Sequence, residues 1–597
     1  MDDAANPYPG KSTAVSGFEA AGSSLHLAVF LHAFEGNARN MQGAIAALRK
    51  SANGPDTDTF APDLPFGMFS RANPSEVLAD LLAKLDLIWM SRVADGRAYE
   101  TVTLVGHSMG SLFARKLYAA AMGQTSEAPF EAQLISELER LNVSPITVVR
   151  PWGSAITRIV LLAGMNRGWT ISHHMSLTRG AAMSAGLWFS RAIEAVGARP
   201  FIVVAAHRGA PFVTQLRLQW LAMRERAARN QNALAQVVQL LGTQDDLVPP
   251  SDNVDPVTGS DFTYLEVPKS GHSSVVQMSE PGSIGEGRRR AFQLALTIPR
   301  GAATNLALAG LEPLEVDESL RHLVFVMHGI RDLGYWTEKI GSRIAGFARS
   351  ESNSRVALET SSYGYFPLLS FLRPGARQEK VEWLMDRYTE AKARYPNASF
   401  SYVGHSHGTY LLWKAMKDYQ AVRFERVVLA GSVLRTDQDW GPYFVQGRIG
   451  CLLNFVASGD WVVAFFPNAM QKLRWQDVGG AGHYGFSKAT AGLVQLHPPK
   501  NLVAGGHSAA LEEDWWDVIA RFVVNGRFEQ TDAMPLKTSH KWWVAGGALI
   551  APLIWLLIAF ALGAGLWLLL QTPWRESIKT LAVCGYFYLI WLILTRF

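Results

Sequence analysis

Apolar runs rich in β-branched residues recur along most of this chain and alternate with segments whose apolar residues follow a helical period. Strands that alternate with helices in this way are typical of parallel sheets with helices on both faces. The pattern therefore predicts the α/β class. The runs that we predict as strands are 27–34, 101–105, 158–163, 237–241, 262–267, 323–330, 400–403, 427–430 and 451–457.

Two features of this pattern occur twice. A histidine followed by a small residue closes one apolar run at His32 and another at His328, 296 residues later. The sequence Gly-His-Ser-x-Gly is centred on Ser108 and returns 298 residues later at Ser406. Because two separate features repeat at nearly the same spacing, the chain contains an internal duplication.

The duplication sets the domain boundaries. A chain of 597 residues is too long for one hydrophobic core, so two large domains are expected. We predict the first domain at 1–302 and the second at 320–534. The linker is predicted at 303–319, where small residues, Gly and Pro occur without a sustained apolar period.

The C-terminal part of the chain holds two long runs that lack charged side chains. The first, 542–570, has 29 residues and would extend about 43 Å as a helix at about 1.5 Å per residue. The second, 581–595, follows a polar turn at 571–580. Because the hydrocarbon core of a bilayer is about 30 Å thick, we predict a transmembrane helical hairpin within 535–597. The shorter second run also fits a re-entrant or interfacial segment, and the hairpin could pair two chains as a homodimer.

Charges and the other end of the chain predict the orientation of this hairpin. The N-terminus has neither the basic nor the apolar region of a secretory signal, so synthesis in the cytosol is expected. Lys537, Lys541 and Arg596 at the outer ends slightly outweigh Arg575 and Lys579 in the turn. We therefore predict a multi-pass membrane protein whose two α/β domains face the cytoplasm.

The amino-acid composition excludes several classes of protein and of binding partner. The chain is 48% hydrophobic and 18% charged, which excludes a disordered or coiled-coil protein. Its 56 basic and 51 acidic residues nearly cancel, without the basic clustering that nucleic-acid binding needs. Two cysteines, Cys451 and Cys584, cannot supply a disulfide framework or a cysteine zinc site. We expect no nucleic-acid partner, no metal and no organic cofactor.

Each Gly-His-Ser-x-Gly sequence lies between a predicted strand and a predicted helix. This arrangement predicts a sharp turn that exposes the serine oxygen, and it needs glycines because a Cβ atom there would collide with the neighbouring backbone. Ser108 and Ser406 are the candidate nucleophiles. The peptide N–H of the following residue, Met109 or His407, can then face a developing oxyanion.

A serine nucleophile needs a histidine base and a carboxylate that orients the histidine. In the first half, Asp245 follows the strand 237–241, and His272 follows the strand 262–267. Asp246 is the alternative to Asp245, which we prefer because it lies directly at the turn. The order of the three candidates along the chain is Ser, Asp, His.

The second half offers one acid and two histidines. Asp460 follows the strand 451–457. His483 lies 23 residues beyond this acid and His507 lies 47 residues beyond it. We prefer His507, because 501–504 can form a last strand before it; His483 would then be a loop residue near the pocket.

We call the sharp turns at Ser108 and Ser406, each between a strand and a helix, the elbows. With these elbows and the loops that carry the acids and histidines, the chain resembles the α/β-hydrolase superfamily, and within it the lipases and esterases. The resemblance covers nearly all of residues 20–530, as two successive copies of the family pattern. It implies an eight-stranded, mostly parallel sheet and an oxyanion hole completed by the N–H of Phe34 or Ile330, two residues after each loop histidine. Two departures are Ala33, where the pattern has Gly, and His407, where an apolar residue is usual.

The first domain carries extra chain between its nucleophile and its acid. Ser108 and Asp245 are 137 residues apart, whereas Ser406 and Asp460 are 54 apart. We predict a lid-like insertion at about 124–235. Its apolar side chains fit an acyl-chain channel and fit packing onto the domain equally well; they are Trp169, Met175, Met183, Trp188, Phe189 and Trp220.

The resemblance implies a serine hydrolase that cleaves carboxylic esters through an acyl-enzyme, and the hairpin favours acyl or lipid substrates at a bilayer. Thioesterase or acyltransferase chemistry uses the same three residues. In the alternative hypothesis one domain, most readily the second, is a non-catalytic binding or scaffold module.

Overall fold

The computed structural model describes residues 15–22, 24–51, 54, 56–170, 177–195, 197–245, 247–248, 255, 262–300, 314–330, 334–373, 375–496, 505–528 and 542–595. The chain divides into two compact units, Met1–Leu314 and Glu315–Phe597, and each unit contains one sheet. Both sheets are mostly parallel and have helices along their faces, so the predicted α/β class is confirmed.

The first unit has seven strands among its described residues, in the sheet order β1-β3-β2-β4-β5-β6-β7. Neighbouring strands are parallel except for the short pair β1 and β3. The strands are β1 (Phe18–Glu19), β2 (His26–Leu31), β3 (Thr57–Phe60), β4 (Thr101–His107), β5 (Ile156–Leu162), β6 (Gln236–Gly242) and β7 (Phe262–Val267). The helices are α1 (Gln42–Arg49), α2 (Pro74–Ala94), α3 (Met109–Ala121), α4 (Ala132–Arg140), α5 (Pro151–Ser154), α6 (Leu177–Ala195), α7 (Ile202–Ala205), α8 (Pro211–Arg229) and α9 (Ser283–Thr297), with a 3-10 turn at Ala38–Met41.

The strand β2 shows why its continuous apolar run forms a central strand. Its side chains alternate between the two faces of the sheet, and both faces are buried. Leu27, Val29 and Leu31 pack into one apolar cluster, while Ala28 and Phe30 pack into the other. A run that is apolar at every position is therefore stable only where helices cover both sides.

The second unit has six strands among its described residues, all parallel, in the order β13-β12-β11-β10-β8-β9. The strands are β8 (His322–Met327), β9 (Val356–Glu359), β10 (Ser399–His405), β11 (Phe424–Ala430), β12 (Ile449–Phe455) and β13 (Leu493–Leu496). The helices are α10 (Tyr335–Ser352), α11 (Leu368–Leu372), α12 (Ala376–Arg394), α13 (His407–Asp418), α14 (Gly441–Val445), α15 (Trp461–Phe465), α16 (Pro467–Lys472), α17 (Ala481–Tyr484), α18 (Trp516–Asn525), α19 (Trp542–Leu549), α20 (Ala551–Leu570) and α21 (Glu576–Thr595), with 3-10 turns at Ala509–Leu511 and Glu513–Trp515.

The described residues thus form sheets of seven and six strands, where the family resemblance implies eight. The last strand that we predicted at 501–504 lies outside the described residues.

The segment predicted as one lid-like insertion, 124–235, is divided by a strand of the sheet. Strand β5 lies between β4 and β6, in the interior of the first sheet. The extra chain is therefore split between 122–155, which precedes β5, and 163–235, which follows it. In the second unit the corresponding connections, 419–423 and 431–448, are much shorter.

The apolar run 542–570 forms two helices and not one. Helix α19 ends at Leu549, and α20 begins at Ala551 with Pro552 in its first turn. A proline inside a continuous helix would lack an N–H for the carbonyl of Ala548, four residues earlier, and its ring would collide with that carbonyl. The helix therefore ends before Pro552.

Helices α20 and α21 are long and apolar enough to cross a bilayer, judged by length and composition. Each has 20 residues, and α21 begins at Glu576, five residues before the predicted start of the second run. The two helices contact each other, and the Tyr586 hydroxyl donates to the Leu562 carbonyl over 2.7 Å. Most other side chains of α20 and α21 are exposed.

Candidate active sites

Each candidate nucleophile lies in a tight turn between a strand and a helix. Ser108 joins β4 to α3 with φ 51°, and Ser406 joins β10 to α13 with φ 53°. Positive φ is unfavourable for a residue with a side chain, so the surrounding structure must hold each serine in place. Strained backbone of this kind is typical of functional sites.

The motif glycines permit this turn because the backbone crosses the end of the neighbouring strand. A Cβ on Gly110 would collide with the carbonyl oxygen of Leu31, at the end of β2. A Cβ on Gly408 would lie 2.5 Å from the carbonyl oxygen of Met327, at the end of β8. In both units the elbow therefore rests directly on the strand whose end leads into the loop histidine.

The structure brings Ser108, His272 and Asp245 into one hydrogen-bonded row. The Ser108 hydroxyl donates to Nε2 of His272 over 2.7 Å. Nδ1 of His272 donates to Oδ2 of Asp245 over 3.0 Å. All three lie at the carboxyl end of the parallel strands, where the nucleophile, acid and histidine loops meet.

The other oxygen of Asp245 is fixed by its own turn. Oδ1 accepts hydrogen bonds from the N–H groups of Leu247 and Val248, each 3.0 Å long. Burial alone would raise the pKa of the Asp245 carboxyl, but the hydrogen bond from His272 and the two N–H bonds outweigh it and lower that pKa. Asp245 is therefore an anion that holds the Nδ1–H tautomer of His272. Asp246, the alternative acid, lies outside the described residues.

His107, the residue before the nucleophile, holds the histidine loop. Its Nε2 donates to the carbonyl of His272 over 2.9 Å. Burial lowers the pKa of His107 to about 4, so the ring is neutral near pH 7. Sequence reasoning missed this role, although the repeated histidine at His405 was a signal for it.

Arg288 supports the same loop. It belongs to a run of three arginines, but its side chain is buried. Its Nε donates to Ser270 over 2.9 Å, and it forms an ion pair with Glu280. Ser270 is two residues before His272, so Arg288 ties helix α9 to the histidine loop. The run alone does not distinguish this arginine from an exposed one such as Arg290.

The loop that carries Phe34 is shaped by His32. Nδ1 of His32 donates to the carbonyl of Ala33 over 2.8 Å, and Nε2 accepts from the N–H of Leu64 over 2.8 Å. Burial lowers the pKa of His32, which keeps this neutral tautomer. Helix α3 begins at Met109, whose N–H is among the four at a helix start that have no acceptor within the helix.

In the second unit the acid and the preferred histidine lie together. Nδ1 of His507 donates to the carboxylate of Asp460, at 3.1 Å from Oδ1 and 3.0 Å from Oδ2. Asp460 is fully buried, and its Oδ1 also accepts from the N–H of Val463 at the start of α15. His483 lies in α17, and its ring packs against Tyr484.

Ser406 is not joined to this acid and base. Its Oγ makes no hydrogen bond to His507 or to any other residue in the described part of the chain. The His507 loop is nevertheless held as in the first unit, since Nε2 of His405 donates to the carbonyl of His507 over 3.3 Å. The second unit thus has an elbow and an acid–histidine pair without the serine–histidine bond.

Tyr363 contacts the loop that leads to Ile330, a contact that sequence reasoning also missed. Its hydroxyl lies 2.8 Å from the carbonyl oxygen of His328 and 2.9 Å from that of Gly329, and it is 3.2 Å from Nδ1 of His407. Burial holds the pKa of His407 well below its ordinary value. The expected donors, the N–H groups of Ile330 and His407, therefore lie in two segments joined by one tyrosine.

The apolar side chains of the predicted insertion have different surroundings. Trp169 is buried and donates from its indole N–H to the carbonyl of Val203. Trp220 is buried against Tyr118, whereas Trp188 and Phe189 are about half exposed. Met183 is partly buried against the main core, and Met175 lies outside the described residues.

Within the described ranges, no three histidine, cysteine, aspartate or glutamate side chains are grouped to hold a metal ion.

Solved structures similar to this chain include three hydrolases. A carboxylesterase of the ammonia-oxidizing thaumarchaeon Nitrososphaera gargenis is 15% identical, with 44% of this chain and 87% of that chain covered and a TM-score of 0.24. Esterase B of Lactobacillus rhamnosis HN001 is 14% identical, with 46% and 78% covered and a TM-score of 0.26. Phospholipase PlaB of Legionella pneumophila is 13% identical, with 37% and 40% covered and a TM-score of 0.23.

No curated protein matches this chain. Residues 28–283 match the sequence model of the family described as the alpha/beta hydrolase family. This range includes β2 to β7 and the complete row of Ser108, Asp245 and His272. The match lies within the first unit, which is therefore similar in sequence to the α/β-hydrolase family.

Proposed function

We propose that this chain is a membrane-anchored serine hydrolase that cleaves carboxylic esters of acyl chains or lipids. The hydrogen-bonded row of Ser108, His272 and Asp245 carries the proposal. A serine bonded to a histidine, which is bonded in turn to a carboxylate, is the arrangement that activates a serine hydroxyl near pH 7. The match of residues 28–283 to the alpha/beta hydrolase family also supports hydrolysis as the reaction.

In the first half of the reaction, Nε2 of His272 takes the proton of Ser108 as Oγ attacks the ester carbonyl carbon. The carbonyl oxygen becomes an oxyanion, and we assign the N–H groups of Met109 and Phe34 as its donors. The carbon–oxygen bond to the alcohol then breaks, and His272 gives its proton to the leaving alcohol oxygen. The acyl group remains on Ser108 as an ester.

In the second half, His272 takes a proton from a water molecule that attacks the acyl carbon. The same two N–H groups stabilise the second oxyanion. Collapse of this intermediate returns the proton to Ser108 and releases the carboxylic acid. Asp245 stays ionised throughout and stabilises the positively charged form of His272 that occurs in both halves.

For the second unit we propose the same roles for Ser406, His507 and Asp460, with Ile330 and His407 as oxyanion donors. The competing proposal is that the second unit is a non-catalytic binding or scaffold module. The missing bond between Ser406 and His507 favours that alternative, while the bonds between His507 and Asp460 favour a histidine that its acid already orients as a base.

The helices α20 and α21 are proposed as the membrane anchor, with both units on the cytoplasmic side. Their exposed apolar side chains suit lipid acyl chains, or the same helices of a second chain in a homodimer. Attachment to a bilayer raises the local concentration of lipid substrates, which is why we propose acyl and lipid esters ahead of small soluble ones.

A fluorophosphonate probe tests the proposal, because it reacts covalently with activated serines. The full chain, in detergent micelles, should be labelled at Ser108, as identified in peptides by mass spectrometry. Ser108→Ala should abolish that label, whereas Ser136→Ala on helix α4 should retain it. A folded chain that is labelled at neither Ser108 nor Ser406 would contradict the enzyme proposal.

Substrate series distinguish the related chemistries. p-Nitrophenyl esters of increasing chain length, phospholipids and acyl-thioesters should be compared with the same preparation. Preference for long acyl chains supports lipid ester hydrolysis. Activity confined to two-carbon acyl groups contradicts it, and faster cleavage of thioesters indicates a thioesterase.

A further inference from the structure

The apolar C-terminal helices of the second unit pack on the two short helices that follow its acid. Helix α15 begins directly after Asp460, and α16 follows it after Phe466. Val544 and Ala548 of α19 are fully buried against Ala464 and Phe465 of α15. Helix α19 therefore forms a small buried apolar cluster with α15 of the second unit.

Polar contacts fix the same junction. The break before Pro552 leaves the carbonyl of Ala548 without a donor from its own helix. Nδ2 of Asn468 donates to this carbonyl over 3.0 Å, and Nζ of Lys472 donates to it over 2.9 Å. Lys472 also donates to the carbonyl of Leu549 over 2.9 Å. Both donors belong to α16, so the helix break is where α16 attaches.

Asn468 links all three helices. Its amide nitrogen donates to the carbonyl of Ala464 over 2.9 Å as well as to that of Ala548. From α20, the indole N–H of Trp555 donates to the carbonyl of Phe465 over 2.9 Å. The α15–α16 pair is thus held by α19 on one side of the break and by α20 on the other.

This attachment bears directly on the catalytic acid. Asp460 caps α15 through the N–H of Val463, and the same carboxylate accepts both contacts from His507. A shift of α15 would therefore move the carboxylate relative to His507. In the first unit, by contrast, the Asp245 carboxylate is fixed by two N–H groups of its own turn.

We infer that helices α19 and α20 are a positioning element of the second site, which hold Asp460 in place through α15 and α16. The inference rests on the proposed activity of Ser406. It makes the chemistry at Ser406 dependent on the apolar C-terminal segment, while the chemistry at Ser108 is independent of it. The segment that anchors the chain is then also a part of the second catalytic unit.

Two adjacent glycines of α19 provide a matched test. A Cβ on Gly547 would lie 2.5 Å from the ring of Phe465, whereas a Cβ on Gly546 would meet no atom within 4 Å. Gly547→Val and Gly546→Val change the helix propensity equally, so they differ in the contact with α15. Both are made in the full chain and studied in detergent micelles.

The rate of fluorophosphonate labelling is measured at Ser406 and Ser108 in the same molecules. Gly547→Val should slow labelling of Ser406 about 10-fold or more, as expected for a displaced catalytic group, and leave Ser108 unchanged. Gly546→Val should change neither rate. In a Ser108→Ala background, ester turnover by Gly547→Val should lose kcat with KM unchanged, because the acid does not contact the substrate.

Lys472 provides a rescue experiment. Lys472→Met removes the donor to the carbonyls of Ala548 and Leu549, and it should slow labelling of Ser406. Lys472→Arg keeps a donor and should restore most of the rate. Equal slowing by both variants would overturn the positioning role of this contact, because a purely steric defect would not distinguish them.

The outcomes separate the inference from the proposed function. If Ser406 is labelled in the unchanged chain and Gly547→Val labels as fast as Gly546→Val, the inference is wrong and the proposed activity stands. If Ser406 is never labelled while Ser108 is, the second unit is the non-catalytic module and the inference is overturned with its activity. Slower labelling of both serines by Gly547→Val would also overturn it, as a general loss of folding.

Discussion

The two candidate sites share their elbows and differ in how the histidine is placed. Ser108 and Ser406 have nearly the same φ, and glycines bring each elbow against the end of a neighbouring strand. In the first site the serine bonds to its histidine over 2.7 Å, whereas in the second the described residues show no such bond. The parts that the sheet fixes are therefore alike in the two units, and the parts on the connecting loops differ.

The two histidine loops also differ in the hydrogen bonds that hold them. His107 donates to the carbonyl of His272 over 2.9 Å, and the equivalent bond from His405 to His507 is 3.3 Å. The first loop is also tied to α9 by Arg288. In the second unit Asp460 is buried and caps α15, and α15 packs against α19. The same turn at the serine thus occurs with and without a hydrogen bond to a histidine.

The largest expected effect comes from removing Ser108, the serine that is bonded to its histidine. Ser108→Ala should remove nearly all turnover of short p-nitrophenyl esters, because loss of a catalytic serine costs about 10⁴-fold or more. Ser406→Ala should leave most of that turnover. The measurement is the steady-state rate of each single variant, with the double variant as the background rate.

This comparison breaks if Ser406→Ala lowers turnover more than Ser108→Ala does. The second site would then be the principal one, and His507 would have to move within hydrogen-bond distance of Ser406 when substrate binds.

The dependence of folding stability on pH tests the role of His107, which supports the histidine loop of the first site. The pKa of His107 is lowered from 6.5 to about 4 by burial, so the unfolded chain binds a proton there that the folded chain does not. Stability should therefore fall as the pH falls from about 6.5 to about 4, by about 3 kcal/mol at about 1.4 kcal/mol per pKa unit. Below pH 4 this contribution should not change further.

Thermal unfolding as a function of pH measures this loss, with hydrogen exchange of first-unit peptides to identify the unit that unfolds. His107→Asn removes the titrating group and should flatten the dependence between pH 6.5 and 4. An unchanged slope in that variant would show that other buried groups cause the acid sensitivity.

The difference in serine–histidine contact predicts a difference in reactivity within one molecule. Ser108 should react with a fluorophosphonate about 100-fold faster than Ser406, because a bonded general base contributes about 10²- to 10⁴-fold. Peptide-resolved labelling over time gives both rates from one sample. Equal rates would mean that His507 reaches Ser406 readily in solution.

The smallest expected effect concerns the loops that carry the proposed oxyanion donors Phe34 and Ile330, where the first unit has Ala33 and the second has Gly329. A Cβ on Gly329 would lie 2.7 Å from Cβ of Ser406, so the serine would have to shift. Gly329→Ala should slow labelling of Ser406 about 10-fold. Gly346→Ala, on α10, is the control, because its added Cβ meets no atom within 4 Å. No change in Gly329→Ala would show that the loop moves away from the serine.

Much of the parallel sheet and of the first site could be predicted from the sequence, because local patterns carry the information. Periodicity and motif spacing located nine of the described strands to within a few residues, missed β1, β3, β9 and β13, and nominated Asp245, His272, Asp460 and His507. Asp245, His272 and Asp460 each follow the end of a described strand, and the ends of parallel strands meet at one edge of the sheet. The strand predicted at 501–504, on which the preference for His507 rested, lies outside the described residues.

Long-range contacts could not be predicted in the same way. Arg288 reads as one member of a basic run, and only the packing of α9 shows that it is buried. The spacing from Ser108 to Asp245 shows that the first unit has extra chain, but it does not show that β5 divides that chain. Pro552, however, was visible in the sequence, and the helix break before it could have been predicted.

The elbow glycines have a consequence for how copies of this motif change over evolutionary time. Gly110 and Gly408 are required by contacts with the carbonyls of Leu31 and Met327, which exist whether or not the serine reacts. Selection for a folded sheet alone would therefore retain both glycines in a copy that had lost its activity. In a copy that has lost its activity, substitutions should therefore appear first at the serine, the acid and the histidine, while the two glycines are retained.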